Sequence, residues 1–321
     1  MKETSLLLLL FAMLFLPLHA QKQDSIKKDS THFPTEEKRY NSYQHSFYNH
    51  FSTNPAFTGM EECYTASLSM DKPMVPATEL NRAVSFITSG DFTLSRKFPL
   101  AVGIYYKYDV AGPFTTSSLS MSLAYPFSYR NHHIRVGIGA KYCHEHFAYN
   151  QLTFGDQISN LYGFIYDDSE MRPLEDKFNL ADINIGLWYQ WKGLFAGFAV
   201  NNLISKTYIY EGPYLKLNRT YSIEAGYNYI PIKKLTLTPA LIFVQIANRK
   251  STWIPSVSLS YNNWLYFSVA CQNFNTMKAY LGFCIMKRII LFGSAGVSTN
   301  SALYDVSPLE SFTAGLKFTL K

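Results

Sequence analysis

The chain has 321 residues and a formal charge of +6, with 47% hydrophobic, 16% aromatic and only 16% charged residues, including 24 Tyr and 24 Phe. This balance excludes a set of Glu/Lys-rich amphipathic helices and points to one large β domain. The basic residues are scattered and partly crowded near the N-terminus, which argues against a nucleic-acid partner.

Taken in chain order, residues 1–20 have the build of an export signal: Lys2, an apolar run from Leu6 to Leu18, and a small residue at Ala20. No cysteine follows the junction, so a lipid-anchored N-terminus is not expected. Residues 21–43 are polar, mixed in charge and without periodicity, and read as a mobile periplasmic tail. Residues 44–321 read as one outer-membrane domain. Its opening stretch, 44–59, mixes aromatics with Asn, Ser and His and closes on Asn54, Pro55 and Gly59. No later stretch approaches the ~20 apolar residues of a membrane helix. A membrane crossing, if there is one, is therefore by a β-barrel.

Strand-like segments then follow to the C-terminus, near 60–71, 80–96, 100–110, 115–127, 134–147, 180–191, 194–204, 218–230, 235–247, 252–261, 264–273, 278–286, 289–299 and 311–321. The clearest is a hairpin. Leu119, Met121, Leu123, Tyr125 and Phe127 alternate with Ser118, Ser120, Ser122 and Ala124, and Ile134, Val136, Ile138, Ala140 and Tyr142 alternate with Arg135, Gly137, Gly139 and Lys141. A soluble sandwich would bury the large face, whereas a membrane barrel would turn it to lipid and line its lumen with the small one. The connections favour the barrel. Links at Lys97–Pro99, Ser128–His133, Lys192–Gly193, Pro231–Lys234, Asn262–Asn263 and Lys287–Arg288 are short, and the long ones, Lys72–Glu79, Ala148–Asn179, Ser205–Leu217 and Asn300–Glu310, alternate with them. In an antiparallel meander all long links then share one rim. The expected fold is an all-β, outer-membrane antiparallel β-barrel of about 14 strands, with turns periplasmic and loops outside.

Tyr105, Tyr108, Trp188, Trp191, Tyr227, Tyr229, Trp253, Tyr261 and Trp264 lie near strand ends and suit interfacial girdles. Cys63, Cys143, Cys271 and Cys284 sit in an exported chain, where a disulfide is permitted. Alternation, however, points Cys271 and Cys284 to opposite sides of the wall. His132, His133, His144 and His146 lack further ligands at zinc spacing. The acidic run Asp167, Asp168, Glu170, Glu175 and Asp176 lacks the spacing of a calcium loop. No nucleophile elbow or phosphate loop occurs. No catalytic, metal or cofactor site is expected, although His144 and His146 near a rim leave an outer-membrane enzyme as a remote alternative.

The longest link contains Tyr162, Phe164 and Tyr166 beside Asp167, Asp168 and Glu170, a mixture suited to binding a protein partner. Loops of more than ~12–15 residues without structure of their own are usually functional or disordered.

The run Tyr48–Gly59, YNHFSTNPAFTG, resembles the opening signature of the PorP/SprF family of type IX secretion membrane proteins, and Gly103–Gly112, Ala124–Tyr125, Ile183–Tyr189, Val200–Leu203 and Tyr221–Tyr227 are similar to strands of that family. The resemblance implies a non-enzymatic outer-membrane component that supports secretion or surface attachment of specific cargo, often large gliding adhesins. It implies as partners outer-membrane lipid, periplasmic and outer-membrane type IX components, and a secreted cargo protein. Asn54, Pro55, Ala56, Phe57 and Gly59 match the signature and are expected to be structural, with Tyr40–Phe57 folding against or into the periplasmic mouth. A channel or transporter for a small solute is the alternative function, compatible with the same barrel.

Overall fold

The computed structural model describes residues 52–60, 64–73, 84–94, 98–159, 161–167, 169–170, 176–205, 207–208, 215–232, 234–247, 249–286, 288–298 and 309–320. All belong to the second of the chain's two compact units, Gln44–Lys321. The expected signal at 1–20, the tail at 21–43, the first part of the signature segment, Cys63, Asp168 and Glu175 lie outside the described residues.

Fourteen antiparallel strands form the wall. In chain order they are β1 Tyr64–Pro73, β2 Val84–Thr93, β3 Ala101–Ala111, β4 Phe114–Tyr129, β5 His132–Phe147, β6 Lys177–Trp191 and β7 Leu194–Asn201. β8 is Thr220–Tyr227, continued past Asn228 by Tyr229–Ile232, and β9 is Leu235–Ile246. β10 Thr252–Tyr261, β11 Leu265–Gln272, β12 Thr276–Ile285, β13 Ile289–Ser298 and β14 Leu309–Leu320 complete the set. Each strand pairs with its neighbours in sequence, and β1 pairs with β14 from Tyr64↔Leu320 to Pro73↔Ser311, which closes the ring. All fourteen expected segments coincide with these strands. No helix among the described residues is long and apolar enough to cross a membrane.

The polarity of the wall is inverted relative to a soluble protein. Ser67, Ser69, Asp71, Ser89, Asp91, Ser118, Ser122, Ser268, Lys278 and Thr313 point inward and are buried, while Leu68, Met70, Phe86, Ile104, Met121, Leu123, Val136 and Ile138 point outward and are exposed. A two-sheet sandwich would reverse this, since exposing so much apolar surface to water is unfavourable by ~25 cal/mol per Å². Hydrocarbon around the barrel removes that penalty.

Tight turns occupy one rim, where Arg130, Lys192, Asn262, Asn263 and Met286 take left-handed φ angles of 49° to 56°. The links 148–176 and 202–219 rise from the other rim. The turn expected over Ser128–His133 is narrower in the structure, because β4 and β5 pair as far as Tyr129↔His132. That leaves only Arg130 and Asn131 in the turn.

Two expected girdle residues are placed differently. Tyr105 and Trp188 face inward and are buried, whereas Trp191, Tyr227, Trp253, Tyr261 and Trp264 are exposed on the outside. The reason is strand parity. Tyr105 shares its face with Ala101 and Gly103, and Trp188 shares its face with Asp182, Asn184 and Gly186. Parity places Cys271 on the outer face and Cys284 on the inner one, and Cys143, Cys271 and Cys284 are all free thiols.

Arg in place of Ile138, which faces lipid, is expected to cost about 2–4 kcal/mol near the bilayer midplane, measured by urea unfolding in lipid vesicles. Ser in place of the inward-facing Gly139 should cost much less. Equal costs at the two positions would contradict the face assignment.

Candidate functional site

The lumen holds a piece of the chain itself. Asn54 adopts an extended backbone, φ −141° and ψ 112°, and its side-chain oxygen accepts a 2.9 Å hydrogen bond from the Ala56 N–H. Pro55 opens a single 3-10 turn, Pro55–Phe57, where its fixed φ fits and its missing N–H is not needed. Gly59 leaves the turn at φ +66°, a conformation that favours glycine.

The wall is cut to receive this turn. Inward-facing glycines on four strands leave the room: a Cβ at Gly137 would overlap Pro55 and Ala56, one at Gly186 would overlap the Asn54 carbonyl, one at Gly103 would crowd Thr58, and one at Gly197 would crowd Trp188. Ala56 and Thr58 are 0% exposed as a result. Phe57 stacks on Trp188 with centroids 4.6 Å apart, and Trp188 stacks on Phe195 at 4.9 Å. Burying a Phe in this way contributes roughly 1.5–3 kcal/mol.

Polar contacts fix the orientation. Arg135 donates from Nε to the Ala56 carbonyl at 3.0 Å and from Nη2 to the Thr58 carbonyl. Asn54 Nδ2 donates to the carbonyls of Leu187 and Phe198, which belong to the adjacent strands β6 and β7. The Thr58 and Ser122 hydroxyls lie 2.7 Å apart, and the Gly59 N–H donates to Asp91 at 2.6 Å. Asn201 Nδ2 donates to the Thr53 carbonyl at 2.8 Å. A buried guanidinium is costly unless its donors are directed, and Nε and Nη2 are directed here at carbonyls of the turn. The described part of the signature segment therefore sits inside the barrel, near the tight-turn rim.

The longest link, 148–176, is not featureless. It carries two 3-10 turns and a short hairpin, Ile158–Ser159 with Gly163–Phe164. Gln157, buried, is its hub: Nε2 donates to the carbonyls of Tyr166 and Asp167, and Oε1 accepts from the Phe154 N–H. Asp156 accepts from the Ser169 hydroxyl and the Glu170 N–H, so its carboxylate is spent within the loop. This scaffold presents Tyr162, Phe164 and Tyr166 at 83%, 58% and 62% exposure, next to exposed Asp167 and Glu170. Tyr149 at its base has its phenol pKa raised, by burial first and by Asp176 second.

The histidines are engaged locally. His144 Nδ1 and the Tyr142 hydroxyl both contact Asn179 Oδ1 at 2.7 Å, and His146 lies 3.6 Å from Asp176. No group of three or more metal-ligating side chains occurs among the described residues.

The family model for "Type IX secretion system membrane protein PorP/SprF" matches residues 36–308. The chain belongs to that family. No curated protein matches it. Among solved structures, the "CymD monoaromatic hydrocarbon channel" is similar over 85% of this chain and 92% of its own, at 13% identity and a TM-score of 0.51. The Pseudomonas putida toluene transporter TodX is similar over 85% and 93%, at 8% identity and a TM-score of 0.49. At such identities CymD bears on the fold alone. As a PorP/SprF member with this fold, the chain is an outer-membrane β-barrel of the type IX secretion system and works with components of that system.

Sequence reading placed Asn54, Pro55, Ala56, Phe57 and Gly59 together and expected Tyr40–Phe57 at the periplasmic mouth, but did not identify the residues that seat them. Gly137, Gly186 and Gly197 carry the signal, because each replaces a side chain on an inward face. Arg135→Ala removes charge-assisted bonds, each contributing roughly 1.5–3 kcal/mol, and Gly186→Val overlaps Asn54. In either variant a cysteine placed at Ala56 is expected to react rapidly with an aqueous maleimide, and in the unaltered barrel slowly. Equal rates in all three backgrounds would show that the segment is not held by these groups.

Proposed function

We propose that this PorP/SprF protein supports the secretion or surface attachment of a specific cargo protein of the large adhesin type, and that the 148–176 link is where the cargo or its outer partner docks. The observation that carries this reading is an ordered hairpin that holds Leu161, Tyr162 and Phe164 exposed, at 87%, 83% and 58%. Holding apolar side chains in water on a fixed scaffold is unfavourable for a monomer and suits a partner that covers them. Asp167 and Glu170 border the hairpin, so a partner with a basic rim would be oriented by them.

In this reading residues 1–20 direct export, 21–43 hang in the periplasm within reach of other type IX components, and the long loops face outward. The protein works as a scaffold and not as a catalyst. The engagement of His144 with Asn179 and the position of His146 beside Asp176 support that. A solute channel is the second reading, suggested by the hydroxyl-lined lumen and the fold shared with CymD. The segment seated inside the barrel against strands β2–β7 weighs against it.

Replacing Leu161, Tyr162 and Phe164 with Ser is expected to leave the barrel inserted and heat-modifiable, to reduce surface labelling of the dedicated cargo severalfold, and to leave other type IX export intact. Truncating hot-spot aromatics typically costs more than ~2 kcal/mol, enough for such a loss. Normal cargo display in this strain would remove the loop from the account.

A further inference from the structure

The tight-turn rim carries charge of one sign. Four of its six links hold an exposed cation: Arg130 between β4 and β5, Lys192 between β6 and β7, Lys234 just before β9 and Arg288 just before β13. None of the six holds a carboxylate among the described residues. The opposite rim mixes both signs, with Asp167, Glu170 and Asp176 as well as Lys177, Arg219 and Lys250. Among the described residues the ion pairs are Lys107 with Asp109 and His146 with Asp176, so no neighbour there neutralises any of the four cations. Like charges gathered on one rim repel one another, and the arrangement becomes favourable where anions lie alongside.

The cations also sit on the lipid side of the rim. The Arg130 guanidinium lies over the Tyr129 ring at 5.3 Å, and the Lys192 ammonium lies over the Trp191 ring at 5.2 Å. Both rings point outward: Tyr129 continues the series of Leu123 and Phe127, Trp191 that of Ile185 and Leu187, and they are 68% and 41% exposed. His132 joins them, stacking on Trp191 and meeting the Tyr189 hydroxyl at 2.8 Å through Nδ1. Across the barrel the Lys234 carbonyl accepts from the Asn262 N–H, beside Tyr261 and Trp264, whose exposed rings meet edge to face. Arg288 follows Met286, which is 82% exposed. Outward aromatic rings at strand ends lie at the level of lipid headgroups, so a cation resting on such a ring is held among phosphates.

We propose that the tight-turn rim is a binding collar for anionic phospholipid headgroups of the phosphatidylglycerol type, with Arg130 and Lys192 as its most ordered contacts. Lipid phosphates reach these cations from the side, across Tyr129 and Trp191, a direction in which an acidic protein docking along the barrel axis does not approach. Arg130 offers a phosphate two parallel donors and Lys192 a point charge. Because short turns of such barrels are periplasmic, the collar grips the periplasmic leaflet and fixes the height of the barrel in the membrane.

The test uses the full-length protein in phosphatidylcholine vesicles containing a trace of spin-labelled phosphatidylglycerol or spin-labelled phosphatidylcholine, and reads by EPR the share of each label immobilised at the barrel. At low salt the unaltered protein is expected to hold phosphatidylglycerol over phosphatidylcholine by at least about threefold. The preference is expected to fade at roughly 1 M salt, where the Debye length is ~3 Å. Arg130→Gln, Lys192→Gln, Lys234→Gln and Arg288→Gln together are expected to abolish it while heat-modifiability persists, and Lys177→Gln with Lys250→Gln on the opposite rim is expected to leave it intact. Equal immobilisation of the two lipids by the unaltered protein at low salt would overturn the collar without reliance on any variant. A preference that survives loss of the four cations, or that is lost equally from the opposite-rim variant, would overturn it too. So would binding of poly-glutamate by a protein that shows no lipid preference, a result that assigns the rim to an acidic protein partner.

Discussion

The structure depends on the rule that no backbone polar group can be left unpaired in hydrocarbon. Fourteen strands in sequence order satisfy it only because the first meets the last, Tyr64 against Leu320 through Pro73 against Ser311. Closure then fixes everything about the side chains. With a period of two, one face of every strand must suit lipid and the other must suit the lumen, so Leu119 and Ile138 face out while Ser118 and Gly139 face in. The wall can therefore be long, apolar outside and stable without a soluble protein's core.

What the wall lacks inside is filled by the chain's own segments. The turn at Pro55–Phe57 supplies a small core of Ala56, Phe57, Trp188 and Phe195, and the returning outer link supplies Leu217 against Cys143 and Leu180. These two places differ in how they are held. The inner segment is gripped by Arg135, Asn54 and Asp91 and fitted into glycine-made hollows on strands β3, β5, β6 and β7. The described ends of the outer link are held by Asp182 and Asn184 of the wall and by bonds from Asn202, Ser205 and Arg219 within the link.

Much of this was legible in the sequence because alternation survives in most strands, less cleanly at 194–204 and 235–247: fourteen segments and the inequality of the two rims follow from it. Trp188 and Tyr105 show where the reading stopped short. Both were assigned by residue type to the membrane interface, although their neighbours at two-residue spacing, Gly186 and Gly103, already mark the lumen face. The seat for Asn54 was invisible because it is made of absences, glycines on separate strands that come together only when the ring closes. The order of the described part of the 148–176 link rests largely on Gln157 and Asp156, whose importance no local pattern announces. Composition there suggested a binding surface, and the structure shows an ordered hairpin and turns carrying those exposed side chains.

The central claim is that the Asn-Pro-Ala-Phe segment is an integral part of the barrel, held by a guanidinium from the wall. Solid-state NMR of the protein in bilayers, with nitrogen-labelled Arg and carbonyl-labelled Ala, tests this directly. A through-space cross-peak between Arg135 Nε and the Ala56 carbonyl, corresponding to the 3.0 Å contact, is the predicted result. An Arg135 guanidinium that contacts only water, with no transfer to the Ala56 carbonyl, would contradict it.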